Sequence, residues 1–273
     1  MTAPTPSTQL PATADEREGE ATLDVLVACE CSGVVREAFN AYSGVNAVSC
    51  DVAPPSDGRV DYHLQCDALD ALRLKRWHLV IAHPPCTRMA LSGALRLYRD
   101  GKKANGRDPK KWEELDRATS FFRSFFDLYD GPLCVENPVM HGHARERIGE
   151  PEGVIRQVVQ PYDFGDDASK ATVLWLRGLP QLHATERVAP RHVCPKCGNT
   201  TREPESSAWR DRKGYVRCHK CPETPRKLSR WANQTDSGQN KLAPSETRAA
   251  ERAVTYPGIA QAMASRWIKF LCR

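Results

Sequence analysis

Apolar positions along this chain recur at two different spacings. Leu23–Cys29, LDVLVAC, is a continuous apolar run of strand length. After Ser32-Gly33, the positions Val34, Val35, Ala38, Phe39 and Tyr42 recur at helical spacing. Ser43-Gly44 stop that helix, and NAVSCD (46–51) reads as a second strand. A strand, a helix and a strand in this order open a parallel, doubly wound sheet.

WHLVIA (Trp77–Ala82) carries the strongest signature of a fully buried strand. A basic, glycine-containing loop follows it. Asp108 is then placed to cap a helix with Pro109 at its first position. Trp112, Leu115, Phe122, Phe125, Phe126 and Tyr129 mark the buried face of that helix, and such an aromatic stripe is read as core. GPLCVEN (131–137) and ATVLWL (Ala171–Leu176) read as later strands. From about Leu182 the pattern breaks, and residues 183–240 are polar and poor in apolar positions. TYPGIAQAMASRWIKFL, from Thr255, regains helical spacing, with Ile259, Met263, Trp267 and Phe270 expected to pack back on the sheet. The pattern predicts an α/β fold: a doubly wound, mostly parallel sheet over 22–182 and 241–273. A small module at 183–240 is inserted into it, and a disordered leader covers 1–21. No internal repeat is visible.

Composition adds limits. The 273 residues are 40% hydrophobic and 27% charged, and no apolar run approaches the ~20 residues that span a bilayer. The first twenty residues lack an apolar signal core. Both features predict a cytoplasmic protein without a membrane partner. The net charge of +5 is unevenly spread. Arg96–Lys111 holds seven Lys/Arg against two Asp, and Arg187–Arg230 holds twelve against four Asp/Glu. Either segment alone could be a solvated loop; together they favour an anionic partner, most simply nucleic acid. No protein partner is implied.

Eleven cysteines are too scattered for a secreted disulfide scaffold. Cys194-Pro-Lys-Cys197 and Cys218-His-Lys-Cys221 form two C-x-x-C pairs twenty residues apart. Four thiolates at this spacing can enclose one structural zinc, without which so polar a segment could hardly fold. A redox C-x-x-C is the rival, but no thioredoxin-like pattern accompanies the pairs. His192 and His219 are read as bystanders.

The remaining chemistry lies at strand ends. The Trp77–Ala82 strand runs into His83-Pro84-Pro85-Cys86. Carboxyl ends of strands border the ligand crevice of a doubly wound sheet, and two prolines there fix the chain's departure and hold the thiol in place. On the bland view Cys86 is a small residue in a turn. CVENP puts Glu136 and Asn137 at another strand end, which sets an acid near a nucleophile. Asp51 in SCDVAP and Asp67 in QCDALD sit at two further strand ends, and an acid after the second strand commonly binds a ribose hydroxyl pair.

With these residues in hand, the chain resembles the cytosine-5 DNA methyltransferases, in a compact version of the kind phages often encode. The resemblance covers roughly 23–182 and 240–270. VACECSG stands for the family's glycine-rich loop, PPCT for its Pro-Cys nucleophile motif, VENP for its Glu-Asn motif and TYPGIAQAMA for its C-terminal helix. It implies a class I S-adenosylmethionine-dependent methyltransferase fold with Glu30, Ser32, Gly33, Asp51, Asp67 and Pro84 at the cofactor. Asp51 would take the ribose and Asp67 the adenine amino group. The zinc-ribbon module fills the target-recognition position. Cys86 is implied as the thiolate that adds to carbon 6 of a flipped cytosine, and Glu136 as the partner of ring nitrogen 3. Lys170, in ASKATVLW, would supply the positive charge that the family's Gln-x-Arg-x-Arg motif brings. Thr87 stands where the family has glutamine, and only Gly33 remains of the glycine-rich loop. Double-stranded DNA is the expected partner and the cytoplasm, a bacterial host's if phage-encoded, the expected compartment. The short recognition region leaves hemimethylated, single-stranded or unpolymerised cytosine open as substrates. Two other readings stand beside this one: an amino-group (adenine N6 or cytosine N4) methyltransferase, and a zinc-ribbon DNA-binding protein on an inactive scaffold.

Overall fold

The computed structural model describes residues 23–193, 196–197, 200–202, 229–235, 240–242 and 254–273. The leader lies outside them. The chain divides into two compact units, one of 1–159, 171–183 and 254–273, the other of 160–170 and 184–253.

The larger unit is built on a seven-stranded sheet. Its strands are β1 (Leu23–Ala28), β2 (Val45–Asp51), β3 (His63–Gln65), β4 (Leu79–Ala82), β5 (Leu133–Pro138), β6 (Val154–Val159) and β7 (Thr172–Arg177). Their order is 3-2-1-4-5-7-6. The first five are mutually parallel, with Ala28 opposite both Cys50 and Ala82, and Ala82 opposite Val135. β7 runs antiparallel to β5 and to β6. The carboxyl ends of β1 to β5 therefore share one edge.

Helices α1 (Val34–Asn40), α2 (Ala68–Arg73), α3 (Pro109–Leu128), α4 (Gly142–Ile148) and α5 (Pro257–Leu271) cover the sheet. Strand alternation sorts the core into two layers. Leu26, Ala28, Val80, Ala82, Leu133 and Val135 join one apolar cluster with residues of α2, α3 and α4. The opposite face meets the layer in which α1 and α5 pack side by side. Asp108 caps α3 as expected, its Oδ1 accepting from the Lys111 N–H at 3.4 Å with Pro109 in the first turn. Trp112, Leu115, Phe122, Phe125 and Phe126 are buried, with Tyr129 partly so. On α5, Ile259, Met263 and Trp267 are buried, and the Trp267 indole donates to the Pro180 carbonyl at 2.9 Å. Phe270 departs from the expected pattern and stays 42% exposed, because it lies in the last turn of α5, next to residues that are themselves open to solvent.

The second unit contains a three-stranded antiparallel sheet of β8 (Arg191–Val193), β9 (Thr200–Arg202) and β10 (Ser229–Arg230), with β8 central. Residues 160–170, which hydropathy assigns to the larger domain, belong to this unit. Tyr162 stacks on Trp231 at 4.6 Å between ring centroids, and Ser169 exchanges two hydrogen bonds with the Asn233 side chain. Such pairings across some seventy residues leave no periodic trace in the sequence. No helix among the described residues is long and apolar enough to cross a membrane.

Candidate active site

β4 stops for a covalent reason. The His83 N–H makes a 2.9 Å bond to the Ala28 carbonyl, and neither Pro84 nor Pro85 has an N–H to continue the ladder. The chain leaves the sheet with Pro84 buried, Pro85 exposed and Cys86 half-buried. The Cys86 carbonyl then accepts from the Met89 and Ala90 N–H groups, both at 2.9 Å, closing a tight turn.

That turn is stitched to the segment beyond β5. The Leu91 N–H donates to the Val139 carbonyl at 2.8 Å, and the His141 N–H donates to the Met89 carbonyl at 3.1 Å. Ala90 and Met140 form an antiparallel bridge. The His141 side chain caps α4 by accepting from the Ala144 N–H through Nδ1 at 3.1 Å, which leaves Nε2 to donate to the Arg88 carbonyl at 2.8 Å. The loop that bears Cys86 is thus tied to the loop that follows Glu136 and Asn137.

Glu136 lies one residue past the Ala82–Val135 pair, beside His83. His83 Nδ1 and Glu136 Oε2 are 3.4 Å apart, with side chains only 7% and 14% exposed. His83 Nε2 and both polar atoms of the Asn137 amide are buried without a hydrogen-bond partner among the described residues. The motifs single out Glu136 and pass over His83, whose one signal is a polar side chain ending an otherwise apolar strand.

The other end of the edge carries the remaining acids. Asp51 closes β2, its Oδ1 accepting from the Ala53 N–H at 2.9 Å. Asp67 caps α2, its Oδ1 accepting from the Leu69 N–H at 2.8 Å. Each keeps its second oxygen without a partner among the described residues, and an acceptor so placed fits a ribose hydroxyl or an amino group. Glu30 is differently used. It is buried, its Oε1 accepts from the Val35 N–H at 2.8 Å and the Ser32 hydroxyl at 3.0 Å, and its Oε2 accepts from the Arg36 N–H at 3.3 Å. Both oxygens therefore cap α1. Gly33 has φ 73°, and a Cβ there would overlap the Arg36 guanidinium and the Asp57 carboxylate. Cys29, at the end of β1, is left-handed at φ 59°, a conformation in which a side chain is strained.

The buried Arg36 fastens the loop after Asp51. It pairs with Asp57 and with Glu37 (2.9 Å) and donates to the Ser49 hydroxyl at 2.9 Å. Burial pushes the Cys29 and Cys134 thiols well up and the Cys50 thiol up to about 12. These three are neutral packing groups.

Beyond Cys86 the basic loop is a built structure. Tyr98 and Arg107 form an antiparallel bridge. The guanidinium groups of Arg107 and Arg147 lie over the Trp112 ring, at 4.0 and 4.9 Å from its centroid. Lys170 belongs to the second unit, where its N–H donates to Gln160 Oε1 at 3.0 Å. Of the four proposed zinc ligands, Cys197 is exposed, while Cys194, Cys218 and Cys221 lie outside the described residues.

No family model matches the chain, and no curated protein matches it. Among solved structures, it is similar to a release-factor-specific protein-(glutamine-N5) methyltransferase from Alicyclobacillus acidocaldarius. That likeness has 15% identity and a TM-score of 0.27, and covers 59% of this chain and 83% of that one. A second likeness is to the DhpI–SAM–HEP complex, at 16% identity and a TM-score of 0.25, covering 61% of this chain and 68% of the other. The fold assignment rests on neither; it rests on strand order. Five parallel strands ordered 3-2-1-4-5, closed by an antiparallel β7 inserted before β6, define the sheet. This is the class I S-adenosylmethionine-dependent methyltransferase fold.

Proposed function

We propose that the chain is a DNA (cytosine-5-)methyltransferase in which Cys86 is the nucleophile. The observation that carries this reading is the lacing of the two loops. Three main-chain and side-chain bonds, from Leu91 to Val139, from His141 to Met89 and from His141 to Arg88, hold the Cys86 turn against the segment leaving Glu136. Covalent addition to a pyrimidine needs a thiol and an acid held in fixed relation, since small misplacements cost large factors in rate.

Cytosine carbon 5 is a weak nucleophile. The Cys86 thiolate adds to carbon 6 while Glu136 delivers a proton to ring nitrogen 3, which turns the ring into an enamine. Carbon 5 would then take the methyl group from a sulfonium donor, which leaves as a neutral thioether. The carbon 5 proton would go to a base, and Cys86 would depart as a thiolate while the double bond re-forms and nitrogen 3 returns its proton to Glu136. S-adenosylmethionine supplies the electrophilic methyl group when bound, and Asp51 and Asp67, each with an oxygen to offer, are the residues that would hold it. Glu30 and Ser32 shape its loop through the α1 cap, with Gly33 giving the turn and Pro84 the adjoining wall. Carbon 6 is unreachable in a stacked duplex, so the reading requires an extruded base. The exposed cations after Cys86 suit the phosphates. On spacing alone, Cys194, Cys197, Cys218 and Cys221 are proposed to hold a structural zinc.

Bisulfite sequencing of DNA from cells expressing the chain tests the reading. Protected cytosines that disappear with Cys86→Ser are expected. N-methylated bases in place of 5-methylcytosine would instead support the amino-group enzyme, and intact DNA binding with no methylated product the inactive scaffold.

A further inference from the structure

At the end of β4 the sheet delivers a buried titratable side chain that the reaction proposed above leaves idle. The main chain fixes His83 firmly. Its N–H is bonded to the Ala28 carbonyl at 2.9 Å, and Pro84 after it confines its backbone to extended conformations. One residue earlier, Ala82 lies opposite Val135 in a parallel pair, so the residues that follow, His83 and Glu136, are brought side by side.

Their side chains meet there. Nδ1 and Oε2 stand 3.4 Å apart, and so little of either side chain is exposed that bulk water serves neither well. In a buried histidine a second partner usually settles which nitrogen carries the proton, as the Arg88 carbonyl and the Ala144 N–H do for His141. His83 Nε2 has no such partner among the described residues, and Glu136 is the one side chain among them bonded to the ring. An ionised carboxylate only accepts, so the nitrogen that faces it must donate. Glu136 thereby selects the Nδ1–H form of the ring.

We propose that His83 is a positioning residue for the addition step. Its Nδ1–H holds Glu136 Oε2, which presents Oε1 to ring nitrogen 3, and it steadies the carboxylate left when Oε1 gives up its proton. The proton count closes. Oε1 loses one proton to nitrogen 3 as the Cys86 sulfur bonds to carbon 6, and regains it when the sulfur leaves. The Nδ1–H stays on the imidazole throughout. A hydrogen bond to a charged acceptor is stronger in a buried site than in water. Its effect therefore falls on the step in which the charge appears, not on binding. The same hold bears on the choice of base. Cytosine nitrogen 3 accepts and needs Oε1–H, whereas uracil nitrogen 3 carries a hydrogen, and a carboxyl left to turn could offer it an acceptor oxygen. The inference rests on the reading of the chain as a cytosine-5 methyltransferase and adds a residue to that site.

The test uses the full chain and DNA tritiated at cytosine carbon 5. Addition at carbon 6 makes the carbon 5 hydrogen exchangeable, so tritium release without a methyl donor reads the addition step by itself. Calorimetric binding of S-adenosylmethionine checks that each variant is folded. His83→Leu fills the volume and leaves no orphan nitrogen. It is expected to slow tritium release and lower kcat roughly 10- to 100-fold. KM for DNA and the affinity for S-adenosylmethionine should stay within about twofold, since the bond to Ala28 is main-chain and survives. His83→Asn, whose amide N–H comes close to the place of Nδ1, is expected to recover most of the loss. On DNA tritiated at uracil carbon 5, the Leu variant's preference for cytosine should narrow by about tenfold. Equal tritium release by His83→Leu and the unaltered protein would overturn the role. So would a loss that His83→Asn does not recover, or one matched by an equal loss of S-adenosylmethionine affinity, since both mark His83 as packing at a strand end. An unaltered protein that binds S-adenosylmethionine yet releases no tritium and makes no 5-methylcytosine would remove the reaction itself, and this role with it.

Discussion

His141 Nε2 donates to the Arg88 carbonyl at 2.8 Å while Nδ1 of the same ring caps α4. One imidazole thereby fixes the turn that follows Cys86 to the helix that follows Glu136. The ring is buried, so removing it strands the Arg88 carbonyl and leaves the Ala144 N–H with the His141 carbonyl alone, at 3.1 Å. His141→Ala is expected to cost about 1–3 kcal/mol of stability, the range for a lost cap and an unsatisfied buried carbonyl. Methyl transfer should fall further than the folded fraction does, because the two loops are no longer held in register. Urea unfolding beside turnover at a temperature where both proteins are folded checks this; equal activity per folded molecule would contradict the bracing role.

Stability should depend on acid in a defined direction. Burial, and to a lesser degree the Arg36 guanidinium, hold the His63 imidazole below its usual value. The folded ring stays neutral, with Nε2 donating to the Ala53 carbonyl at 3.0 Å. The unfolded chain takes the proton first, so the full contribution is present above about pH 6.5 and is lost as pH falls below it. Burial pushes the Asp57 carboxyl up, but the Arg59 N–H and the Arg36 guanidinium outweigh it and keep the carboxyl below the usual range. Its contribution goes next, as pH falls through the folded carboxyl's range. Urea midpoints should fall between about pH 7 and pH 5, and His63→Gln should flatten that part of the curve. A midpoint that rises on acidification would contradict the assignment.

Cys29 offers a contest between two magnitudes. Its left-handed backbone costs roughly 1–2 kcal/mol, and Cys29→Gly would relieve it. The same change gives up a partly buried thiol packed against the core, worth about 1 kcal/mol. Cys29→Gly should therefore be within about 1 kcal/mol of neutral, while Cys29→Val, stiff at χ1 in the same conformation, should lose about 2 kcal/mol or more. Thermal melting of the two variants decides. A Gly variant as damaged as the Val variant would show that the thiol's packing, not the turn, matters there.

For the cysteine pairs, metal analysis should find about one zinc per chain, lost in Cys218→Ser. A chelator should open part of 184–253 to protease while 23–159 stays resistant. Purified protein without zinc and equally resistant would remove the metal from the account.

Much of the frame was legible because local rules carry it. The apolar runs at β1, β2, β4, β5 and β7, the Asp108-Pro109 start of α3 and the stripe that α3 buries all follow from short-range pattern. β6 escaped notice because its exposed Ile155 and Val158 break the buried-strand signature at the sheet edge. α4 is seven residues long, too short to show a period. The strand-end positions of Cys86, Glu136, Asp51 and Asp67 could be read from motif and topology. The bonds that organise them could not. His83 with Glu136 and His141 with Arg88 each join residues 53 apart. Nor could the use of Glu30, whose two oxygens accept from N–H groups of α1.

The proposed reaction stands on a covalent bond between Cys86 and a pyrimidine. The direct test is incubation of the protein and S-adenosylmethionine with DNA carrying 5-fluorocytosine, where the carbon 5 fluorine blocks release, followed by denaturing electrophoresis and peptide mass mapping. A stable adduct mapping to Cys86, absent in Cys86→Ser, is the result expected. Transfer of methyl groups to ordinary cytosine DNA with no adduct in the fluorinated DNA, or with the adduct on another residue, would contradict it.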